Sequence, residues 1–340
     1  MPMIQVRCSH EFCRPPQIAR VVFMMFYVVL VAAAEGAFPW KTVRHDGRDY
    51  VTAKDIREYY KFDSLSKQGS LLIFRSSRIE MKISTGQAVI YINKVKFIPS
   101  YPIIAKGGDY LISQLDLDKL IDPVLRPSQI REAGFLQTVV IDPGHGGVDT
   151  GSQSRYGNES DFALRTALYL KGELEKRGFR VRMTRDDDSF PTLERRVSFA
   201  NSIRNSIFVS IHFNSFRRTA AKGIETYALS PQGTKSYNSG SKPGDKRLLA
   251  GNARDSENIA LATAVHAHVL KATGAEDRGI KRERYTVLTG IEHPAILLEG
   301  GFMSNPTEAR IIATSSYQKK IAEATAQGIE RYRNALRSRR

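Results

Sequence analysis

Hydrophobic and polar positions divide this chain into two stretches of different character. Between residues 38 and 130 the apolar residues come in short runs with partial alternation: Ser70 to Ser76 (SLLIFRS), Arg78 to Ser84 (RIEMKIS), Ala88 to Pro99 and Tyr110 to Ser113. Such β-branched and aromatic runs predict strands, and residues 53–60 and 115–125 predict short helices among them. Gly47, Asp49, Tyr50 and Val51 return sixty positions later as Gly107, Asp109, Tyr110 and Leu111, a faint internal repeat. The expectation is a small α+β domain over 38–130, ending where Pro123, Pro127 and a polar stretch to Glu132 break the pattern.

From Ala133 onward strand-like and helix-like periods alternate. Strands are predicted over residues 138–142, 180–184, 207–212, 223–229, 285–288 and 295–299, and helices over 159–177, 193–204, 256–273 and 316–336. In the first helix Phe162, Leu164, Leu168 and Leu174 form an apolar face and Gly178 provides the stop. Regular alternation of this kind predicts an α/β fold over 134–337, a mixed sheet flanked by helices on both faces. Residues 230–255, polar and rich in Gly and Ser, exceed an ordinary connection; a mobile flap over a cleft or a disordered insertion is expected there.

Near the start lies a fourteen-residue apolar run, Val21 to Ala34, preceded by Arg7, Arg14 and Arg20 and closing in three alanines. A bilayer span needs about 20 such residues, so residues 1–34 are read as a cleaved export signal, with an uncleaved amino-terminal anchor as the alternative. Export places the protein in the periplasm or cell envelope, touching the membrane only through that segment. Both cysteines, Cys8 and Cys13, precede the cut, which excludes a disulfide framework, a thiolate metal site and a cysteine nucleophile in the mature chain.

Composition is that of a globular protein, 41% hydrophobic and 25% charged, with a formal charge of +16. Cleavage after Ala34 removes three basic residues and one acidic one, so +14 survives. That excess favours an anionic partner. Nucleic acid is set aside, because the basicity is diffuse, no aromatic stacking motif accompanies it and the chain is exported.

Candidate chemistry centres on TVVIDPGHGGVDTG, Thr138 to Gly151, where a buried strand breaks into a glycine-rich turn that presents His145. Glu159 opens the helix that follows, His212 closes the strand IFVSIHFNS, and Glu299 ends the apolar run of AILLEGGFMSN. His145, His212 and Glu299 all stand at carboxyl ends of predicted strands, where α/β sheets gather functional side chains. Two imidazoles and one carboxylate make a zinc set with a position left for water or substrate, and a second carboxylate beside that water serves as base. Taken singly, each has a structural explanation: a helix-start charge, a hydrogen-bonded core histidine, an ion-paired glutamate.

In order along the chain, DPGHGGVDTG, Glu159, VRMTRDDD, TLERRVSFAN, FVSIHFNS, GIETYAL, DRGIKRERYTVL and LLEGGFMSNPTE resemble the zinc-dependent N-acetylmuramoyl-L-alanine amidases of the Amidase_3 type. The resemblance covers nearly all of Leu136 to Arg337. It implies Zn²⁺ held by His145, Glu159 and His212, Glu299 as the catalytic carboxylate, and Asn214 as a residue that orients substrate or a ligand. It also implies peptidoglycan as substrate, cut between N-acetylmuramic acid and L-alanine, by a monomer with an activator left open. Asn158 stands where relatives often carry another polar residue. The alternative is a non-catalytic envelope-binding protein on the same fold. Residues 38–130 resemble, more weakly, the repeat-containing amino-terminal module found beside copper amine oxidases, which implies a structural or wall-targeting role.

Overall fold

Gly47 and Gly107, the first members of the internal repeat, each close a β-hairpin in the structure, a computed structural model that describes residues 40–130 and 136–337. The export segment and the boundary expected near Glu132 lie outside the described residues. Strands β1 (Thr42–His45) and β2 (Arg48–Thr52) turn at Asp46 and Gly47, both left-handed. Helix α1 (Ala53–Tyr60) follows at once, its first turn capped by Thr52 Oγ1, which accepts from the Asp55 amide. An antiparallel meander comes next: β3 (Ser64–Gln68), β4 (Leu71–Arg75), β5 (Glu80–Ser84), β6 (Ile90–Ile92) and β7 (Val95–Phe97). The expected single strand over 88–99 is therefore two. Asn93 and Lys94, with φ of 48° and 72°, fold it at a two-residue turn of the kind whose twist matches a hairpin.

Strands β8 (Ile104–Lys106) and β9 (Asp109–Ser113) repeat the first hairpin, and β9 pairs antiparallel with β2, giving a small sheet in the order β1-β2-β9-β8. The repeat extends to the helix start: Ser113 Oγ accepts from the Asp116 amide as Thr52 does from Asp55. Helix α2 (Gln114–Asp116) continues through a wider turn, Leu117–Ile121, into α3 (Asp122–Leu125), so the expected helix over 115–125 is continuous but not regular.

The second region contributes β10 (Thr138–Pro143), the short hairpin β11 (Gln153–Ser154) and β12 (Gly157–Asn158), α4 (Glu159–Lys176), β13 (Arg180–Met183), α5 (Leu193–Asn201), β14 (Ser206–Asn214) and β15 (Ile224–Leu229). After these come α6 (Asp255–Thr273), β16 (Asp277–Glu283), α7 (Thr286–Thr289), β17 (Ala295–Phe302), α8 (Pro306–Ile312) and α9 (Ser315–Arg337). The main sheet runs β13-β10-β14-β17-β15-β16 and continues through β7 to β3, eleven strands in all. It is mixed: β13, β10, β14 and β17 are parallel, and β15 is antiparallel to β17. Within the sheet the two regions meet at a short parallel pairing of Phe97 with Ile280, and residues of both share one core.

Alternation along the strands sorts the core onto two faces. Val139, Ile141, Val209, Ile211 and Leu298 pack with residues of α4, α6 and α9, whereas Val140, Phe208, Tyr227 and Leu297 pack with Val197 of α5 and Val287 and Leu288 of α7. Helices thus cover both faces, as the sequence pattern predicts.

Two expectations are corrected. Residues 285–288 are not a strand but the start of α7, and the strand of this region is β16, whose sequence DRGIKRE reads as solvent-facing. Its charges are buried with partners: Lys281 Nζ pairs with Glu225, and Arg282 Nη1 donates to the Leu229 carbonyl. Residues 230–255 form a packed segment with Thr234, Ser236, Asp245 and Asn252 buried. Arg284 gathers it, donating to the carbonyls of Pro231 and Thr234 and pairing with Asp245 at 3.2 Å. No residue of this segment lines the cleft described below.

Candidate metal centre and cleft

Where β10 ends, the chain makes a left-handed step at His145, with φ of 58°, a conformation that residues with a Cβ rarely adopt. Two arginines hold it there. Arg196, 2% exposed, donates through Nη1 to Asp142 Oδ1 (2.7 Å) and the Pro143 carbonyl (2.6 Å), and through Nη2 to the His145 carbonyl (2.6 Å). Arg185 Nη2 donates to the carbonyls of Gly144 (2.6 Å) and Ser160 (3.0 Å), tying the loop to the first turn of α4. Buried carbonyls of an irregular loop need such donors.

Glu159 occupies the first position of α4, but its carboxylate serves the loop and the two histidines. Oε2 accepts from the Ser152 amide (2.9 Å) and Oε1 from the Phe213 amide (3.1 Å). Oε1 also lies 3.1 Å from His145 Nε2 and 2.9 Å from His212 Nδ1. The rings of His145 and His212 stand edge to face at 4.9 Å between centroids. One donor atom from each of the three residues falls within 4.8 Å of the others, close enough to hold a single cation. The backbone leaves room for this approach. A Cβ on Gly144 would sit 2.3 Å from His212 Cε1, and one on Gly151 would sit 2.6 Å from His145 Cδ2.

The field at this point favours positive charge. Burial opposes the charged form of His145, yet the hydrogen bonds and charges of Glu159 and Asp149 raise its pKa to about 9. Burial pushes the Glu159 carboxyl up as well, and hydrogen bonds from both histidines hold it well below the usual carboxylate range. Asp149 Oδ2 takes the remaining nitrogen of His145, Nδ1, at 2.8 Å, so Nε2 is the atom turned to the cluster.

Glu299 lies at the middle of β17, in register with His212 on one side and Glu225 on the other. It lines the same cavity as the three donors, a cleft of about 490 Å³ that Phe190, Leu193, Tyr285 and Val287 also line. Its Oε2 is buried without a hydrogen-bond partner among the described residues. Burial first, then repulsion from Glu159 and Glu225, raises its pKa well above that of an ordinary glutamate, against the attraction of Lys281. Burial and the neighbouring carboxylates thus favour the protonated form of this side chain.

The structure therefore brings His145, Glu159, His212 and Glu299 to one cleft, and Asn214 lines it too. Asp149, Arg185, Arg196 and Glu225 carry no role in the sequence reading. Asp149 lies within the motif DPGHGGVDTG, four residues after His145, where the carboxylate partner that orients a metal-binding histidine is signalled by sequence. Nothing in the pattern distinguishes Arg185, Arg196 or Glu225 from surface charge.

A three-donor cluster beside a partnerless carboxyl, over the central strands of a mixed α/β sheet, is the make-up of a metal-assisted hydrolase centre. The family profile described as N-acetylmuramoyl-L-alanine amidase, Amidase_3, matches residues 139–331, and the chain belongs to that family. It is 30% identical over 256 residues to the N-acetylmuramoyl-L-alanine amidase AmiC of Escherichia coli O6:H1, covering 68% of this chain and 61% of that one. AmiA of Escherichia coli K12 is 31% identical over 225 residues, 59% of this chain and 78% of the relative. Among solved structures, the catalytic domain of CwlV, an amidase from Bacillus (Paenibacillus) polymyxa var. colistinus, superposes with a TM-score of 0.50 at 32% identity, over 59% of this chain and 99% of that domain. Residues 40–130 lie outside the family match.

Proposed function

We propose that this chain is an exported zinc amidase that hydrolyses the amide between N-acetylmuramic acid and L-alanine in peptidoglycan, acting in the periplasm or cell envelope. The observation that carries the reading is the convergence of His145, Glu159 and His212 donors within 4.8 Å, in the cleft that Glu299 lines. Two imidazole nitrogens and one carboxylate oxygen are a donor set that suits zinc, and the glycine cradle leaves the space the group requires. His145 through Nε2, Glu159 through Oε1 and His212 through Nδ1 would hold the ion. Zinc bound there supplies Lewis acidity toward a carbonyl and lowers the pKa of a water.

The remaining steps belong to the chain's own side chains. Glu299 accepts a proton from the attacking water and delivers it to the departing amine of L-alanine, a shuttle to which its partnerless oxygen in the cleft is suited. Asp149 and the two arginines keep His145 in place while this occurs. Digestion of purified sacculi followed by mass spectrometry tests the reading. Free stem peptides with intact glycan strands are expected; shortened glycan, or cleavage within the stems, would contradict it.

A further inference from the structure

The environment of Asn214 carries an inference that rests on the amidase reading and extends it. Asn214 closes β14 two residues after His212, on the same face of the strand. Its backbone is pinned, the carbonyl accepting from the Met303 amide at 2.7 Å. Its side-chain Nδ2 donates to Glu225 Oε2 at 2.9 Å. Glu225, 2% exposed, also accepts from Tyr227 OH (2.6 Å) on Oε2, and from Arg278 Nε (2.7 Å) and Lys281 Nζ (2.5 Å) on Oε1. Burial would push the Glu225 carboxyl up, but Lys281, Tyr227 and Arg278 hold it below its ordinary value.

An ionised carboxylate with that set of donors can only accept. The amide of Asn214 therefore has one allowed orientation, nitrogen toward Glu225 and oxygen away. Asn214 lines the cleft, and its Oδ1 takes no hydrogen bond from any described residue. We infer that Glu225 is a positioning residue, which turns the carbonyl oxygen of Asn214 into the cleft to accept a hydrogen bond from a backbone N–H of the stem peptide. The cation cluster and the partnerless Glu299 address the carbonyl and the water; a neutral acceptor for the peptide's N–H is the group they lack. A peptide entering a cleft loses water from each N–H, and an N–H left without an acceptor weakens binding.

The test compares the parent chain with Asn214→Ala, Glu225→Gln and the double variant on a soluble N-acetylmuramoyl peptide, measuring kcat, KM, zinc content and thermal stability. Glutamine at 225 can offer either end of its amide, so the orientation of Asn214 is no longer imposed. Each single change should raise KM about tenfold, the worth of one hydrogen bond, and leave kcat within about twofold. Zinc should remain at one per chain. The double variant should match the singles, because both remove the same interaction. If Glu225→Gln does not fold, Glu225→Gln with Lys281→Met keeps the local charge balance and is read in its place. An unchanged KM in the Glu225 variant, a KM in the double variant equal to the product of the two single effects, or loss of zinc overturns the inference. A parent chain that releases no stem peptide overturns the amidase reading itself and removes the inference with it.

Discussion

Asp149 Oδ2 lies 2.8 Å from His145 Nδ1 and leaves Nε2 as the ring nitrogen turned toward Glu159. With Nδ1 donating to the carboxylate, Nε2 faces Glu159 and is the nitrogen whose lone pair a metal would take on displacing its proton. Removing that partner frees the tautomer and the ring orientation. Asp149→Ala should weaken zinc affinity by about 10–100-fold, read by competition with a chromogenic chelator. Because the Asp149 side chain is 43% exposed, the melting temperature of the zinc-free protein should hardly move. Parent-like affinity would show that Asp149 does not orient the ligand.

Glu299 is not among the three residues whose donor atoms converge, so its loss should separate chemistry from metal binding. Glu299→Gln keeps the size of the side chain but cannot take a proton. Release of stem peptide from sacculi should fall by about 10²–10⁴-fold, the range for a positioned acid–base group, with zinc content unchanged. Normal cleavage by this variant would remove Glu299 from the reaction.

How much of this was legible beforehand differs by residue. His145, His212 and Glu299 announce themselves because a polar residue interrupting or ending an apolar run has few reasons to be there. Glu299 nonetheless falls within β17, and His212 two residues short of the end of β14, rather than at the strand ends expected. The alternation of Val139, Val140 and Ile141 likewise sorts correctly onto two covered faces. What stayed hidden are the charges that fold inward in pairs. Lys281, Arg282 and Glu283 make β16 look like a surface loop, yet all three are buried by partners far away in sequence. Arg196 is similar: it sits in a helix that reads as ordinary and amphipathic, and its partner Asp142 lies 54 residues earlier. Periodicity reports which side of an element is apolar; it is silent on ion pairs that only the tertiary fold assembles.

The glycines around the cluster supply a contrast between space and strain. Gly151 has φ of 63°, and a Cβ there would meet His145 Cδ2 at 2.6 Å and Glu159 Oε2 at 2.8 Å. Gly172, inside α4, has no atom within 4 Å of its would-be Cβ. Gly151→Ala should therefore lose zinc and activity together, whereas Gly172→Ala should raise stability by about 0.5–1 kcal/mol through helix propensity. Metal analysis and thermal melts check both. A Gly151→Ala protein with full zinc content would mean the two ligands tolerate displacement.

Arg196 and Asp142 form a buried ion pair, 2% and 1% exposed in their side chains, at 2.7 Å. Asp142 accepts further from Thr184 Oγ1 (2.5 Å) and Ser210 Oγ (2.7 Å), so its charge is well satisfied only while Arg196 is present. Arg196→Met strands that charge and should cost about 3–5 kcal/mol of stability, seen as a lower denaturant midpoint. Adding Asp142→Asn removes the stranded charge and should recover much of the loss. The Pro143 carbonyl keeps Arg185 Nε, but the double variant lacks any such donor to the His145 carbonyl, and the left-handed step there loses that support. Zinc affinity should accordingly stay low in the double variant even as stability returns. Recovery of both together would show that the arginine serves only the ion pair and not the loop that presents the ligand.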